Sequence, residues 1–129
     1  FVLQIGSVRL AMANGIDPVD LLMLERLNSE MERAAANSDQ ETFHVADVQF
    51  HRAVCELCKN ELMFMVYDAV ESLLDDVTRK NVQRSVAQAD GFKNVLAHHR
   101  EILESLKSND MDRFVQAMME SRARSLKYY

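Results

Sequence analysis

The sequence predicts an all-α domain, an antiparallel bundle of about six helices. There are only 3 Gly and 1 Pro among 129 residues, too few chain breakers for the turns of an all-β domain. Apolar residues recur at intervals of three and four, which is typical of amphipathic helices. Short groups of capping and turn residues separate these segments, so the connections are expected to be short. The chain is long enough for one domain with a hydrophobic core.

Residue types that start and stop helices define the first three elements. Gly15 is expected to end the first helix, because glycine tolerates the left-handed conformation of a C-cap. Asp17 is a favoured N-cap residue and Pro18 is favoured at the first helical position, so the second helix is expected to start here. A capping box starts the third helix, with Ser38 bonding forward and Glu41 reaching back. These helices are expected to end near residues 12, 36 and 58.

Three further helices follow in the second half of the chain. Asn60 is expected to cap the fourth helix, whose apolar pattern continues to Val77. The polar stretch 81–91 is the best candidate for one long connection. The fifth helix is expected over 92–107, and the sixth over 111–126 after a tight turn at 108–110 with cap chemistry.

Composition and charge narrow the classes of function. The net charge of -5 argues against a basic nucleic-acid-binding patch in these residues. No apolar run is long enough to span a membrane. Cys55 and Cys58 lie in one predicted helix and are expected to be reduced thiols of a cytoplasmic protein. The chain begins within a helical pattern and without Met, so we expect a piece of a longer protein.

Polar residues on the inward faces of three predicted helices suggest a binding site. Asp47 and His51 lie four residues apart in an apolar run and therefore share one helix face. His99 occupies a gap in the apolar stripe of the fifth helix, and Ser121 continues the stripe of the sixth. An Asp with two neutral His can bind a divalent ion such as Zn, Ni or Mn. A buried hydrogen-bond network is the simpler alternative, and the pattern leaves both open.

The two other histidines, His44 and His98, are expected at the solvated surface. Glu41 and His44 also form an E-x-x-H pattern, which occurs in di-iron helical bundles. A di-iron enzyme would need a second such pattern, and neither His98 nor His99 has a Glu three residues before it. A helical interaction module without a ligand is the third alternative.

An ordered set of short motifs resembles the FCD domain, the effector-binding C-terminal domain of the FadR subfamily of GntR-type bacterial transcription regulators. The resemblance covers essentially all 129 residues. D-x-x-F-H of the family matches 47–51, and H-R-x-I-L matches 99–103. Asn60 with Leu62 resembles its N-x-x-L, and Asn109-Asp110 followed by Met118 resembles its G-D and closing methionine. Leu3-Gln4 resembles its L-E, with Gln in place of Glu.

The resemblance implies a helical bundle, usually dimeric, that encloses a ligand cavity. It implies Asp47, His51 and His99 as ligands of a divalent metal and a carboxylate effector that completes the site. Ser121 stands where the last His of the family is expected, and serine coordinates metals poorly. Three ligands with water or effector, or a cavity that works without metal, are both compatible with this departure.

The expected function is ligand sensing in a cytoplasmic transcription regulator, with no enzymatic activity. Residues 1–129 would form one effector-binding and dimerisation domain, and the winged helix-turn-helix domain that binds DNA is absent from these residues. The effector would be a small organic acid. Arg79 and Arg100 are candidates to bind its carboxylate, together with Ser121 in the cavity.

Overall fold

The structure is a computed structural model that describes residues 2–87 and 91–126, except for the side chains at 82, 85 and 121–126. The described residues confirm the predicted all-α bundle. None of the described helices combines the length and the apolar character that a bilayer span requires. The six helices are α1 (Val2–Asn14), α2 (Pro18–Ala36), α3 (Gln40–Glu56), α4 (Glu61–Ala87), α5 (Gly91–Lys107) and α6 (Met111–Leu126).

Helix α3 lies at the centre of the bundle. It packs against α1, α2 and α4, while α5 packs against α2, α4 and α6. Phe43, Phe50 and Val54 of α3 are fully buried in one hydrophobic core with Leu103 and Phe114 of the last two helices. Any polar side chain on the same face of α3 is therefore placed inside the core, where it needs a partner.

The turn between α2 and α3 differs from the predicted capping box. Ser38 adopts a left-handed conformation with φ 53°. The N–H of Ser38 donates to the carbonyl oxygen of Ala35 at 3.1 Å, and the N–H of Asp39 donates to the carbonyl oxygen of Ala34 at 2.8 Å. These two bonds close α2 as a Schellman motif. Asp39 is the N-cap of α3, since its carboxylate accepts bonds from the backbone N–H and the hydroxyl of Thr42. The capping role predicted for Ser38 is therefore wrong.

The other predicted capping residues are confirmed. Side-chain oxygens of Asp17, Asn60 and Asp110 each accept a hydrogen bond from a backbone N–H two or three residues later. Gly15 has φ 86° after α1, and Asn109 has φ 52° after α5. Both residue types tolerate this left-handed conformation better than others do.

Helix α4 continues beyond its predicted end. The stretch 81–87, expected to belong to a long connection, is helical to Ala87, and residues 88–90 lie outside the described part. The chain from Asn60 to Asp90 contains neither Gly nor Pro, so nothing in the sequence interrupts the helix. The polar composition of 81–87 reflects exposure of the last turns rather than a loop, although Val86 remains buried.

Much of the apolar pattern on α4 faces outward. Its large apolar residues, which we call the α4 apolar face, recur at helical spacing on one side. Their exposed fractions range from 39% for Val70 to 84% for Leu73. A contiguous exposed surface of this kind is typical of an interaction site. The α4 apolar face consists of Leu62, Met65, Val66, Val70, Leu73, Leu74 and Val77.

Candidate metal centre

Two helices bring the three predicted ligands to one point. Asp47 and His51 lie one turn apart on the face of α3 that enters the bundle, as their spacing predicts. His99 lies on α5 among the apolar residues Ile102 and Leu103, which are buried against the same core. Among the described residues, Asp47, His51 and His99 form the group whose ligand atoms converge, all within 4.8 Å of one another.

The separations between the three ligand atoms suit a single metal ion. Nε2 of His99 lies 2.6 Å from Oδ1 of Asp47, and Nε2 of His51 lies 3.4 Å from the same oxygen. The two Nε2 atoms are 3.2 Å apart. Ligands about 2.0–2.2 Å from a tetrahedral ion are about 3.3–3.6 Å from each other. A small outward movement of His99 would therefore accommodate an ion between the three atoms.

The centre is closed on one side and accessible on the other. His99 is 1% exposed and the side chain of Asp47 is 8% exposed, whereas 21% of the His51 side chain is exposed. The ring of Phe50 packs edge-on against both imidazoles, with its centroid 4.8 Å from that of His99 and 5.8 Å from that of His51. Phe50 thus excludes water from the buried side, and the approach for a ligand lies near His51.

The ionisation of Asp47 and His99 favours a cation at the centre. Burial alone would raise the pKa of Asp47, but interactions with the imidazoles of His51 and His99 hold this pKa well below its usual range. Burial lowers the pKa of His99, although its hydrogen bond to Asp47 opposes this effect. An ionised carboxylate and a neutral imidazole are the forms that coordinate metals.

Two polar contacts from α1, which the sequence analysis did not predict, fix α3 beside the centre. Oε1 of Gln4 lies 2.9 Å from Nδ1 of His51, and the hydroxyl of Ser7 lies 3.2 Å from the thiol of Cys55. Gln4 and Ser7 are buried on the same face of α1 as the apolar residues Val8 and Ala11. Their spacing of three residues is the signal in the sequence, but it does not identify the partner helix.

His44 and His98 are buried, so the prediction that both lie at the solvated surface is wrong. Their exposed fractions are 4% and 8%. Because α4 continues to Ala87, its last turns cover His44, whose Nε2 lies 3.9 Å from Oδ1 of Asp75. A pocket of about 240 Å³ lies at this position and is lined by Gln40, Glu41, His44, Arg79, Gln83 and Val86.

The E-x-x-H pattern at Glu41 and His44 does not produce a second convergent group among the described residues. The carboxylate of Glu41 forms an ion pair with Arg79 at 2.5 Å. Arg79 is thereby held on the α3–α4 surface. An effector that contacts Arg79, as predicted, would have to share the guanidinium with Glu41 or displace the Glu41 carboxylate.

Arg100 and Ser121 are the two other residues expected to bind the effector. The guanidinium of Arg100 forms ion pairs with Glu25 at 3.1 Å and Glu32 at 3.0 Å, both on α2. Arg100 thus follows His99 in the sequence but is engaged at the α2–α5 surface. Ser121 belongs to α6, but its side chain lies outside the described residues.

Comparisons with known proteins identify the family. A model of the FCD domain matches residues 1–123. The galactonate operon transcriptional repressor of Escherichia coli (strain K12) is 29% identical over 111 residues, which cover 84% of this chain and 46% of the repressor. The chain therefore spans less than half the length of this relative. No solved structure matches the chain. The chain belongs to the FCD domain family, the effector-binding domains of GntR-type transcription regulators.

Proposed function

We propose that this domain senses a small organic acid through a divalent metal ion bound by Asp47, His51 and His99. In the full-length cytoplasmic regulator, acid binding would modulate DNA binding by an N-terminal winged helix-turn-helix domain. The observation that carries the proposal is the convergence of one carboxylate oxygen and two imidazole nitrogens within 4.8 Å in a largely buried site.

The donor set supports a transition metal rather than calcium or magnesium. Imidazole nitrogen is a good ligand for Zn and Ni, and the carboxylate suits Mn, whereas calcium and magnesium prefer oxygen ligands alone. Three protein ligands leave at least one coordination position for water or for an acid. The bound ion supplies the positive charge that attracts the carboxylate of the effector. The exposed edge of His51 is the side on which the acid would enter.

A hydroxylated acid is the first ligand to test. The name of the Escherichia coli relative refers to a galactonate operon, and galactonate is a polyhydroxylated carboxylate. Ser121, Arg79 and Arg100 remain the residues proposed to contact the acid beside the metal. Because Arg79 and Arg100 are paired with glutamates, an acid would bind them only by competing with these carboxylates.

The α4 apolar face supports the proposal of a homodimer. Seven large apolar side chains on one side of a helix are unusual for a surface that only contacts water. Two copies joined through this surface would place their metal centres on either side of a shared interface. Acid binding would then shift the population of dimer arrangements that set the spacing of two DNA-binding domains.

The metal dependence of acid binding tests the proposal. Isothermal titration with galactonate would be performed on zinc-loaded protein and again after chelation, with Asp47→Ala and His99→Ala as variants. His98→Ala is the matched control, because His98 is buried next to His99 but does not belong to the convergent group. We expect binding to zinc-loaded wild type and to His98→Ala only.

Two outcomes would contradict the proposal in different ways. Equal galactonate affinity before and after chelation would assign the three residues to a hydrogen-bond network, for which the 2.6 Å contact between Asp47 and His99 is already suitable. Metal binding without affinity for galactonate would reject this ligand and leave the metal centre in place.

A further inference from the structure

Gln4 is the residue of α1 that reaches the candidate metal centre. Its Oε1 lies 2.9 Å from Nδ1 of His51, and the residue is only 7% exposed. An amide oxygen can only accept a hydrogen bond, so Nδ1 of His51 must be the donor. The contact joins residues 47 positions apart in the sequence, and it is made on the side of the imidazole that faces away from Asp47.

We infer that Gln4 is a positioning residue for the metal centre, because it holds the proton of His51 on Nδ1 and keeps Nε2 directed at the ligand point. The inference rests on the proposed function, which makes Nε2 of His51 a metal ligand. Nε2 lies 3.4 Å from Oδ1 of Asp47 and 3.2 Å from Nε2 of His99. It is thus the ring nitrogen that must carry no proton when an ion binds.

His51 needs such a partner more than His99 does. The side chain of His51 is 21% exposed, whereas that of His99 is 1% exposed and enclosed by the core. An imidazole at a partly open site can turn about its Cβ–Cγ bond, which moves Nε2 away from the ligand point. A fixed acceptor on the second nitrogen prevents this, which is why metal-bound histidines usually have one.

The contact between Ser7 and Cys55 provides the matched control. It lies one turn further along both helices and joins the same pair of elements, with a separation of 3.2 Å. Both residues are completely buried. Removing this contact perturbs the α1–α3 interface without touching His51. A role of Gln4 in packing alone therefore predicts similar effects of Gln4→Met and Ser7→Ala, whereas a positioning role does not.

The experiment measures zinc affinity and the protonation of His51 in the same purified chains. Zinc affinity is obtained by competition with a chromophoric chelator, and the imidazole is observed by long-range ¹H–¹⁵N NMR of metal-free protein. Gln4→Met keeps the size of the side chain but removes the acceptor, so we expect zinc affinity to fall by about 10- to 100-fold. Gln4→Glu retains an acceptor, so its zinc affinity should remain within about threefold of that of wild type. The same is expected of Ser7→Ala.

The NMR result decides the inference independently of the metal. We expect a proton on Nδ1 of His51 in wild type, Gln4→Glu and Ser7→Ala, and its loss or exchange to Nε2 in Gln4→Met. Unchanged zinc affinity and an unchanged Nδ1 proton in Gln4→Met would overturn the inference. Absence of zinc binding in wild type would reject the proposed metal instead. If Gln4→Met did not fold, the NMR spectrum of wild type would still test the role of Gln4. A neutral His51 with its proton on Nε2 would contradict that role.

Discussion

Asp47 is the residue on which the candidate centre depends. Its carboxylate contacts both His51 and His99, and both contacts are made by the same oxygen, Oδ1. Burying a lone carboxylate is strongly unfavourable, so the two imidazoles or a cation must compensate its charge. Removing either histidine leaves that charge only partly compensated. The centre is therefore expected to respond to substitution as a unit rather than as three separate ligands.

The sequence predicts Asp47, His51 and His99 because helical spacing encodes which residues share a face. It does not predict Gln4, because an amide in an apolar helix gives no direction toward its partner. The same limitation explains His44 and His98. A histidine at the edge of an apolar stripe is either solvated or covered, and the outcome depends on the neighbouring helix, which for His44 is the extended α4.

The two cysteines should differ in reactivity. Cys55 is fully buried against Ser7, and burial raises the pKa of its thiol, whereas Cys58 is only partly buried. Since the thiolate is the reactive form, we expect native protein to react at Cys58 at least about tenfold faster than at Cys55. Mass spectrometry after timed alkylation measures both sites. Faster modification of Cys55 would show that the α1–α3 interface opens readily.

Among the elements, the turn between α2 and α3 shows how two helix ends compete for the same residues. Ser38 could serve as an N-cap, but the end of α2 requires a left-handed residue at that position. Asp39 then becomes the cap. A local sequence pattern cannot resolve this competition, because each helix end alone is compatible with Ser38. The error has no consequence for the site, since α3 still presents Asp47 and His51 inward.

This turn can be tested by two substitutions with opposite effects. Asp39→Ala removes both bonds to Thr42 and should destabilise the domain by about 1 kcal/mol. Ser38→Gly places a glycine in the left-handed conformation, which is less strained for glycine than for serine, and should stabilise the domain by up to about 1 kcal/mol. Urea unfolding followed by circular dichroism measures both. Destabilisation by Ser38→Gly would indicate that the serine side chain has a capping role.

Helix α4 is the element whose sequence is least informative about its surroundings. Its apolar spacing predicts a helix correctly, but the same spacing also occurs on helices that bind a second molecule. Leu73 is 84% exposed although it continues the apolar pattern. Sequence alone does not distinguish residues that pack within one chain from residues that pack between two.

A charge on the α4 apolar face should separate the proposed dimer. Leu73→Glu is expected to increase the dimer dissociation constant at least about 100-fold while changing the stability of the isolated domain by less than about 0.5 kcal/mol. Leu22→Glu is the control, since Leu22 is also an exposed leucine at 69% but lies on α2. Sedimentation equilibrium measures the association. A wild-type monomer, or equal effects of both variants, would contradict a dimer through α4.

For the whole molecule, the centre connects helices that are distant in sequence. Asp47 and His51 belong to α3, His99 to α5, and Gln4 links α1 to the same point. A ligand at the centre therefore stabilises the arrangement of three helices at once. Such a site can couple ligand binding to a change in helix packing, which is the property that a sensory domain needs.

This coupling predicts a large thermal shift on metal binding. Zinc at about 100 times its dissociation constant should stabilise the folded domain by about 2.7 kcal/mol. For a domain of this size we expect the unfolding midpoint to rise by roughly 10 °C. Differential scanning fluorimetry measures the shift in wild type and in His99→Ala. A shift of the same size in His99→Ala would place the bound zinc elsewhere on the protein.

The metal centre is tested most directly by the zinc affinity and stoichiometry of three proteins: wild type, His99→Ala and His98→Ala. If Asp47, His51 and His99 form a metal centre, wild type and His98→Ala bind one zinc ion per chain with similar affinity. His99→Ala should then bind at least about 100-fold more weakly, because two protein ligands remain. No stoichiometric zinc in wild type, or equal affinities of His99→Ala and His98→Ala, would contradict the account.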